Sequence, residues 1–335
     1  MSPFSQISLV GSGAWGTTIA NVLAKKGHLI RVWDQNEKVI TDISTRHINC
    51  EYLPGIELSS NLLPSGNLLE TIKGTDLLII AVPSKYLPDI LSRINMYIEE
   101  PIKALALTKG LLFEGKPLLV SDLIQKYCIK ISLSNFAILS GPNFAQEIAQ
   151  DLPSATVVAG LDLLYLQALQ TLLSTKTLRV YTNTDLLGVQ LGGMMKNVIA
   201  LSAGIIDGLG LGMNLKSALL VRGITEMNRI FMAMGANPQT LYGLSGLGDL
   251  IATSMSELSR NHWAGFQIGK GLSYAEILSF GRTIEGINTL PPLLKLAELY
   301  SVELPICQET HDIIFQGKQP LAAIEDLMNR SVKPE

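Results

Sequence analysis

Apolar and polar positions along this chain fall into two textures. Up to about Tyr181, short apolar runs alternate with amphipathic stretches, the pattern of a doubly wound parallel sheet covered by helices. Ile7–Val10 predicts a first strand, Trp15–Lys26 a helix and Leu29–Trp33 a second strand. Leu77–Val82, stopped by Pro83, and the runs Ala104–Leu107 and Ala137–Leu139 predict further strands buried on both faces. The turns that follow them, Pro83-Ser84, Thr108-Lys109-Gly110 and Ser140-Gly141-Pro142-Asn143, then line up along the edge where such sheets bind ligands, with Lys109 beside whatever is bound. After Tyr181 the texture turns helical. Leu186–Ile206 is expected as a central helix and Asn214–Met234 as a second, joined by the loop Asp207–Gly212. Shorter helices are expected at Tyr274–Leu278, Pro291–Tyr300, Thr310–Phe315 and Leu321–Met328. The fold class is therefore α/β over residues 1–182 followed by an all-α domain over 183–335, with the boundary in Arg179–Asp185.

Composition narrows the functional classes. The chain has 335 residues, 47% of them hydrophobic and only 16% charged, which suits two well-buried cores and a subunit interface. A net charge of −3, with Lys and Arg scattered, gives no footprint for nucleic acid or an anionic membrane. Cys50, Cys128 and Cys307 are odd in number and lack metal or redox spacing, as expected of thiols in a reducing cytoplasm. His28, His47, His262 and His311 form no metal spacing either. Leu186–Ile206 is long enough to span a bilayer, but Gln190, Lys196, Asn197 and two adjacent glycines make it a core helix instead. No secretion signal is read at the N-terminus, since Gly11 interrupts its first apolar run.

Gly11-Ser12-Gly13-Ala14-Trp15-Gly16 directly follows the first strand and opens a helix. That context marks a dinucleotide-binding loop, in which missing Cβ atoms let a pyrophosphate approach the helix N-terminus. NAD(H) or NADP(H) is the implied cofactor, and the first domain reads as a Rossmann fold. Asp34 closes the second strand, where a carboxylate either accepts from the adenosine ribose or caps the helix beginning near Asn36. A 2′-phosphate would meet like charge there, but Arg31 and Lys38 are expected near enough to blunt the repulsion and leave room for NADPH.

Lys196 stands three and four residues after Gly193 and Gly192 on a helix of small residues. Two glycines within a helix cost roughly 2 kcal/mol relative to alanine, so something must approach the backbone; a nicotinamide ring and a small substrate would fit. An ammonium there either donates a proton to a carbonyl oxygen or snorkels to the surface. Asp249, between glycines in Gly246-Leu247-Gly248-Asp249, either orients Lys196 or caps a helix beginning at Leu250. Ser259-Arg260-Asn261-His262 has the donors of a phosphate site, or of a solvated surface.

Together the glycine loop with Thr17, Thr108-Lys109-Gly110, Ser140–Ala145, Lys196–Ala200, Asp207–Gly210, Gly246–Leu250, Ser259–Asn261 and Glu285-Gly286 resemble, in order and over nearly the whole chain, the bacterial NAD(P)-dependent glycerol-3-phosphate dehydrogenases. The resemblance implies a Rossmann domain followed by a helical domain like that of 6-phosphogluconate dehydrogenase. It implies reversible reduction of dihydroxyacetone phosphate to sn-glycerol 3-phosphate, a precursor for phospholipid synthesis. Apart from the resemblance, the apolar content leads us to expect a homodimer, and the cysteine, histidine and charge patterns read above lead us to expect a cytoplasmic protein with no metal and no integral membrane contact. By the same resemblance Lys196 exchanges the proton, supported by Asp249. Lys109 is assigned to catalysis and to both ligands. Gly141 and Asn143 contact the substrate, while Ser259, Arg260 and Asn261 hold its phosphate. Trp15, Ala145, Arg260 and Glu285 touch the cofactor by that resemblance, beside the loop residues Gly11, Gly13, Ala14 and Gly16 and the candidate Asp34 read above from the motif itself. The chain departs from the family at Asn143, commonly Ser or Thr, at Met213, commonly Asp, at Thr283-Ile284 and at Asp34-Gln35-Asn36; the last weakens strict NADP preference.

Overall fold

The computed structural model describes residues 4–331, which form two compact units. The first runs to Lys109 and resumes at Leu118–Gln190; the second comprises Gly110–Pro117 and the chain from Leu191. The division thus falls inside a helix, at Gln190–Leu191, later than the 182/183 boundary expected from texture, and it assigns the short segment Gly110–Pro117 of the N-terminal half to the second unit.

The strands are β1 (Ile7–Val10), β2 (Ile30–Trp33), β3 (Leu62–Ser65), β4 (Leu77–Ile80), β5 (Lys103–Ala106), β6 (Leu111–Phe113), β7 (Pro117–Leu119), β8 (Phe136–Ser140), β9 (Ser154–Gly160) and β10 (Leu178–Asn183). Eight of them make one sheet in the order β10-β9-β8-β5-β4-β1-β2-β3, while β6 and β7 pair as a separate hairpin. Neighbours in the large sheet are parallel except β8 and β9. The order reverses at β1, which lies between β2 and β4, and the loop leaving β1 is therefore at the switch point where such sheets bind ligands. The helices of this half are α1 (Ala14–Lys25), α2 (Glu37–Arg46), α3 (Leu68–Ile72), α4 (Leu87–Tyr97), α5 (Val120–Tyr127), α6 (Ala145–Ala149) and α7 (Leu163–Leu173). Leu9, Ile79, Leu105 and Leu139 of the sheet join Ile19, Leu23, Leu166 and Leu169 of α1 and α7 in one core, each side chain contributing about 2 kcal/mol on burial.

The helical unit contains α8 (Leu186–Leu209), which crosses the division, then α9 (Gly212–Met234), α10 (Pro238–Leu241), α11 (Asp249–Met255), α12 (Arg260–Gly269), α13 (Tyr274–Ser279), α14 (Glu285–Leu299), α15 (Pro305–Phe315) and α16 (Pro320–Met328). The apolar stretch of α8 is wholly buried, as a helix apolar all round must be in a globular core. It continues past Ile206 because Gly208 packs its backbone on α12: a Cβ there would run into Phe266 O. The expected glycine loop shrinks accordingly to the turn Gly210-Leu211. α14 begins at Glu285, ahead of the expected Pro291, and carries Pro291 and Pro292 within it. Proline alone points to a helix start, but here the Gly286 N–H, held by Asn261 Oδ1 at 2.8 Å, anchors the helix earlier.

Glu226 of α9 is almost wholly buried and supplies the N-terminal contacts of α15, accepting from Ile306 N at 2.6 Å and Cys307 N at 3.3 Å. Burial outweighs these bonds and pushes its carboxyl up to about 7, against an ordinary 4.5, with the Cys307 thiol and the Arg229 charge opposing the rise. The folded state therefore binds a proton more readily than the unfolded chain, and stability falls as pH rises from 4.5 through 7. Glu226→Gln should flatten that part of the profile, by up to about 1.4 kcal/mol per pH unit. Urea midpoints of both proteins at about pH 5 and about pH 8 check this; equal slopes would assign the titration elsewhere.

Candidate functional site

In the first unit the glycine loop leaves β1 at Gly11, whose φ of 102° suits glycine. A Cβ on Gly11 would lie 2.9 Å from Ala81 O, and one on Gly16 would run into Gly11 O. Nothing lies within 4 Å of the corresponding point on Gly13, so the middle of the loop faces open space. Asn49, fully buried, braces the loop from beneath by donating to Ser12 O and Thr17 Oγ1, both at 2.9 Å. No motif announces Asn49, which sits just beyond a left-handed turn at His47. The indole Nε1 of Trp15 is buried and has no hydrogen-bond partner. An open cradle of N–H groups at a helix start, beside an orphaned donor, fits the phosphates of a dinucleotide.

Of the two roles the sequence left open for Asp34, the helix cap falls to its neighbour. Asn36 caps α2, accepting from Lys38 N. Asp34 instead binds the glycine loop: Oδ2 accepts from Ser12 N at 2.6 Å and Oδ1 from Asn36 N at 2.9 Å. Arg31 does not blunt its charge as expected, because its guanidinium turns to the carbonyls of Glu70 and Lys73 and to Gln6 Oε1. Lys38 lies 3.6 Å from Glu51.

The turns after β5 and β8 bring together three more of the expected residues. Lys109 Nζ donates to Gly141 O at 3.0 Å, and Asn143 Nδ2 donates to Thr156 Oγ1 at 3.0 Å. The Asn143 Oδ1 atom is buried without a hydrogen-bond partner, as is Ser140 Oγ nearby in sequence. Ala145 opens α6, and its carbonyl accepts from Thr18 of α1 at 3.1 Å. Trp15, Ala81 and Ala145 all pack on the sheet's core.

In the helical unit Lys196 is only 7% exposed, which rules out a snorkelling lysine. Its Nζ donates to Asp249 Oδ1 at 2.8 Å and to Thr253 Oγ1 at 2.7 Å, and Thr253 in turn donates to Asp249 Oδ1 at 3.0 Å. Asp249 is the first residue of α11, whose N-cap position is Gly248; it follows a π-helical turn at Leu244–Gly248. The helix dipole favours its carboxylate. Gly192 serves this arrangement, since a Cβ there would sit 2.9 Å from Ser245 O. What approaches the glycine is the protein's own loop, where a ligand was expected. Thr253 escaped the sequence reading, although its position four residues after Asp249 puts both on one helix face.

Asn197, next to Lys196, continues the polar chain. Its Oδ1 accepts from Asn261 Nδ2 at 2.9 Å, while Asn261 Oδ1 accepts from Gly286 N at 2.8 Å. Ser259 caps α12 by accepting from His262 N at 3.1 Å. His262 Nε2 lies 2.6 Å from Asp207 Oδ2, which also accepts from the buried Lys216 at 2.6 Å. Burial alone would raise the Asp207 carboxyl; these two partners more than reverse it and hold it below the usual range. Arg260 reaches solvent, yet protein crowds its guanidinium. The lost hydration lowers its pKa, the Glu285 carboxylate opposes this, and the Arg282 charge adds to it. The described residues contain no cluster suited to a metal. A buried lysine held by a carboxylate and a hydroxyl, on a helix shared with an amide chain, can exchange a proton with a small oxygen ligand.

Comparison with known proteins places the whole chain. Residues 6–163 match the family model for the NAD-dependent glycerol-3-phosphate dehydrogenase N-terminus, and residues 185–325 match that for its C-terminus. The chain is 40% identical over 329 residues to glycerol-3-phosphate dehydrogenase [NAD(P)+] of Streptomyces griseus, spanning 98% of this chain and 97% of the relative. It is 38% identical over 332 residues to that of Geobacter metallireducens, spanning 98% of each. A crystal structure of glycerol-3-phosphate dehydrogenase from Coxiella burnetii superposes with a TM-score of 0.92 at 32% identity, covering 97% of this chain and 99% of that one. With both halves matched and the similarity running end to end, the chain belongs to the NAD-dependent glycerol-3-phosphate dehydrogenase family.

Proposed function

We propose that this protein reduces dihydroxyacetone phosphate to sn-glycerol 3-phosphate, and runs the reverse reaction, with NAD(H) or NADP(H). The observation that carries the reading is the buried Lys196 held by Asp249 and Thr253. Lys196 gives a proton to the ketone oxygen in reduction and takes it back in oxidation. Asp249 and Thr253 keep Nζ aimed. The nicotinamide, when bound, supplies or receives the hydride. Gly11, Gly13, Ala14, Trp15 and Gly16 hold the pyrophosphate end of the cofactor, with Asp34 at the ribose and Ala145, Lys109, Arg260 and Glu285 as further contacts. Lys109, Gly141 and Asn143 orient the substrate, and Ser259, Arg260 and Asn261 take its phosphate. In this reading residues 1–182 carry the dinucleotide-binding loop and 183–335 the proton-exchanging lysine and the phosphate site, with each part lending contacts to the other's ligand. We place the enzyme in the cytoplasm, as a homodimer without integral membrane contact, supplying glycerol 3-phosphate for phospholipids. Free Cys50, Cys128 and Cys307 accord with a reducing compartment.

Cofactor oxidation followed by absorbance, with dihydroxyacetone phosphate and each nicotinamide in turn, tests the reading directly. Lys196→Ala should lower kcat by about 10²–10⁴ while the dissociation constant of the cofactor stays near that of the parent. A variant that keeps most of its turnover would remove Lys196 from the chemistry.

Asp34 decides between the two cofactors. Its carboxylate accepts from ribose hydroxyls and repels a 2′-phosphate, so NADH should be preferred and NADPH tolerated. Because Asp34 also pins Ser12, Asp34→Ala will weaken both cofactors, and the informative readout is their ratio of kcat/KM. That ratio should move toward NADPH by about tenfold; an unchanged ratio would leave Asp34 with the loop-bracing role alone.

A further inference from the structure

The segment joining α13 to α14 is fastened along the first turn of α12. Phe280 meets Trp263 edge to face, with ring centroids 5.2 Å apart. The Arg282 guanidinium lies 4.5 Å from the centroid of the same indole, and Gly286 N is held by Asn261. Arg282 is exposed, and an exposed arginine ordinarily keeps its rotamer freedom; here cation–π stacking holds it in place. Trp263 follows Arg260 by three residues, so the two stand on one face of α12. The stack therefore holds a second guanidinium on the side of the helix where Arg260 stands. The two cations feel one another, and Glu285 offsets only one unit of their charge. Like charges fixed side by side are unfavourable on their own. A phosphate dianion reverses the sign of that term and accepts from both planar forks.

We propose that Arg282, presented by Trp263, forms with Arg260 a two-guanidinium clamp for a phosphate ester of this site's own ligands. The assignment rests on the phosphate role proposed above for Ser259, Arg260 and Asn261. The shared chemistry has two sources, the monoester of the substrate and the diphosphate of the cofactor.

Steady-state kinetics of full-length Arg282→Gln and Arg282→Lys separates them. If the clamp grips the substrate, Arg282→Gln raises KM for dihydroxyacetone phosphate about tenfold at saturating NADH, with a smaller change in kcat. If it grips the diphosphate, KM for NADH rises by a similar factor instead. In either case Arg282→Lys recovers part of the loss, because charge is restored without the fork, and inorganic phosphate inhibits Arg282→Gln less than the parent. Both KM values within about twofold of the parent, or a lysine variant no better than glutamine, would overturn the clamp. Arg260→Ala in the same assay keeps the two ideas apart. A raised substrate KM there, beside an unaffected Arg282→Gln, removes the clamp and leaves the phosphate site standing; no effect in either variant removes both.

Discussion

Backbone contact along α8 sets the geometry of the helical unit. Gly204 and Gly208 on α8 meet Gly265 and Gly269 on α12, and a Cβ at any of the four would run into a facing carbonyl oxygen. Helices separated by ordinary side chains lie 8–10 Å apart; removing the Cβ atoms brings the axes closer and fixes the register. Farther along α8, Gly192 admits the Ser245–Gly246 backbone, and Gly286 sits against Asn197 O. Each helical glycine gives up about 1 kcal/mol of propensity relative to alanine. The return is placement: Lys196 meets α11 at Asp249, and Asn197 meets α12 at Asn261, from adjacent positions on one helix.

That placement matters because the pair it creates is costly. Removing an ammonium and a carboxylate from water is repaid only if geometry is good and the remaining hydrogen-bonding capacity is satisfied, and an apolar pair of similar volume is often as stable. Thr253 helps meet the condition by bonding both Lys196 and Asp249. Stability therefore gives no strong reason for a lysine at this depth, whereas the proton exchange proposed for it would: a group that must gain and lose charge works best where water is scarce and its partner is fixed. The network of Asp207, Lys216 and His262 is a contrast, since its carboxylate is partly exposed and ties α8 to α9 and α12.

The strands that could be read from sequence are those buried on both faces. β4 is a continuous apolar run, and β1, β2, β5 and β8 are apolar but for one residue each, Ser8, Arg31, Lys103 and Ser140, whereas β3 contains Pro64 and lies at an edge, and β10 alternates Arg179 and Tyr181 with buried Leu178 and Val180. Edge strands need cover on one face only, so alternation and proline are allowed; that latitude made β10 look like a linker. β9 was hidden because nothing local marks an antiparallel strand returning between two parallel ones. At the site, local chemistry was visible and its geometry was not. The glycine loop, Lys109, Lys196 and Asp249 carry their chemistry in residue type and spacing. Asn49, by contrast, acts through a tertiary contact with Ser12 O, and the purpose of Gly192 appears only with the loop that covers it.

In the cofactor role proposed for it, Asp34 would make a structural bond and a selective one the same bond. Two backbone N–H groups hold its carboxylate, one from the glycine loop and one from its own turn, and each oxygen keeps a second lone pair for a ligand hydroxyl. The charge is therefore fixed before any cofactor arrives, and ribose binding needs no side-chain reorganisation there. A 2′-phosphate meets a carboxylate that can swing away only by releasing Ser12, which would loosen the loop that cradles the pyrophosphate. With Arg31 turned to the far end of β2 and Lys38 near Glu51, neither cation is committed to offsetting that repulsion. Discrimination in the proposed role thus follows from the rigidity of the turn as much as from the carboxylate it carries.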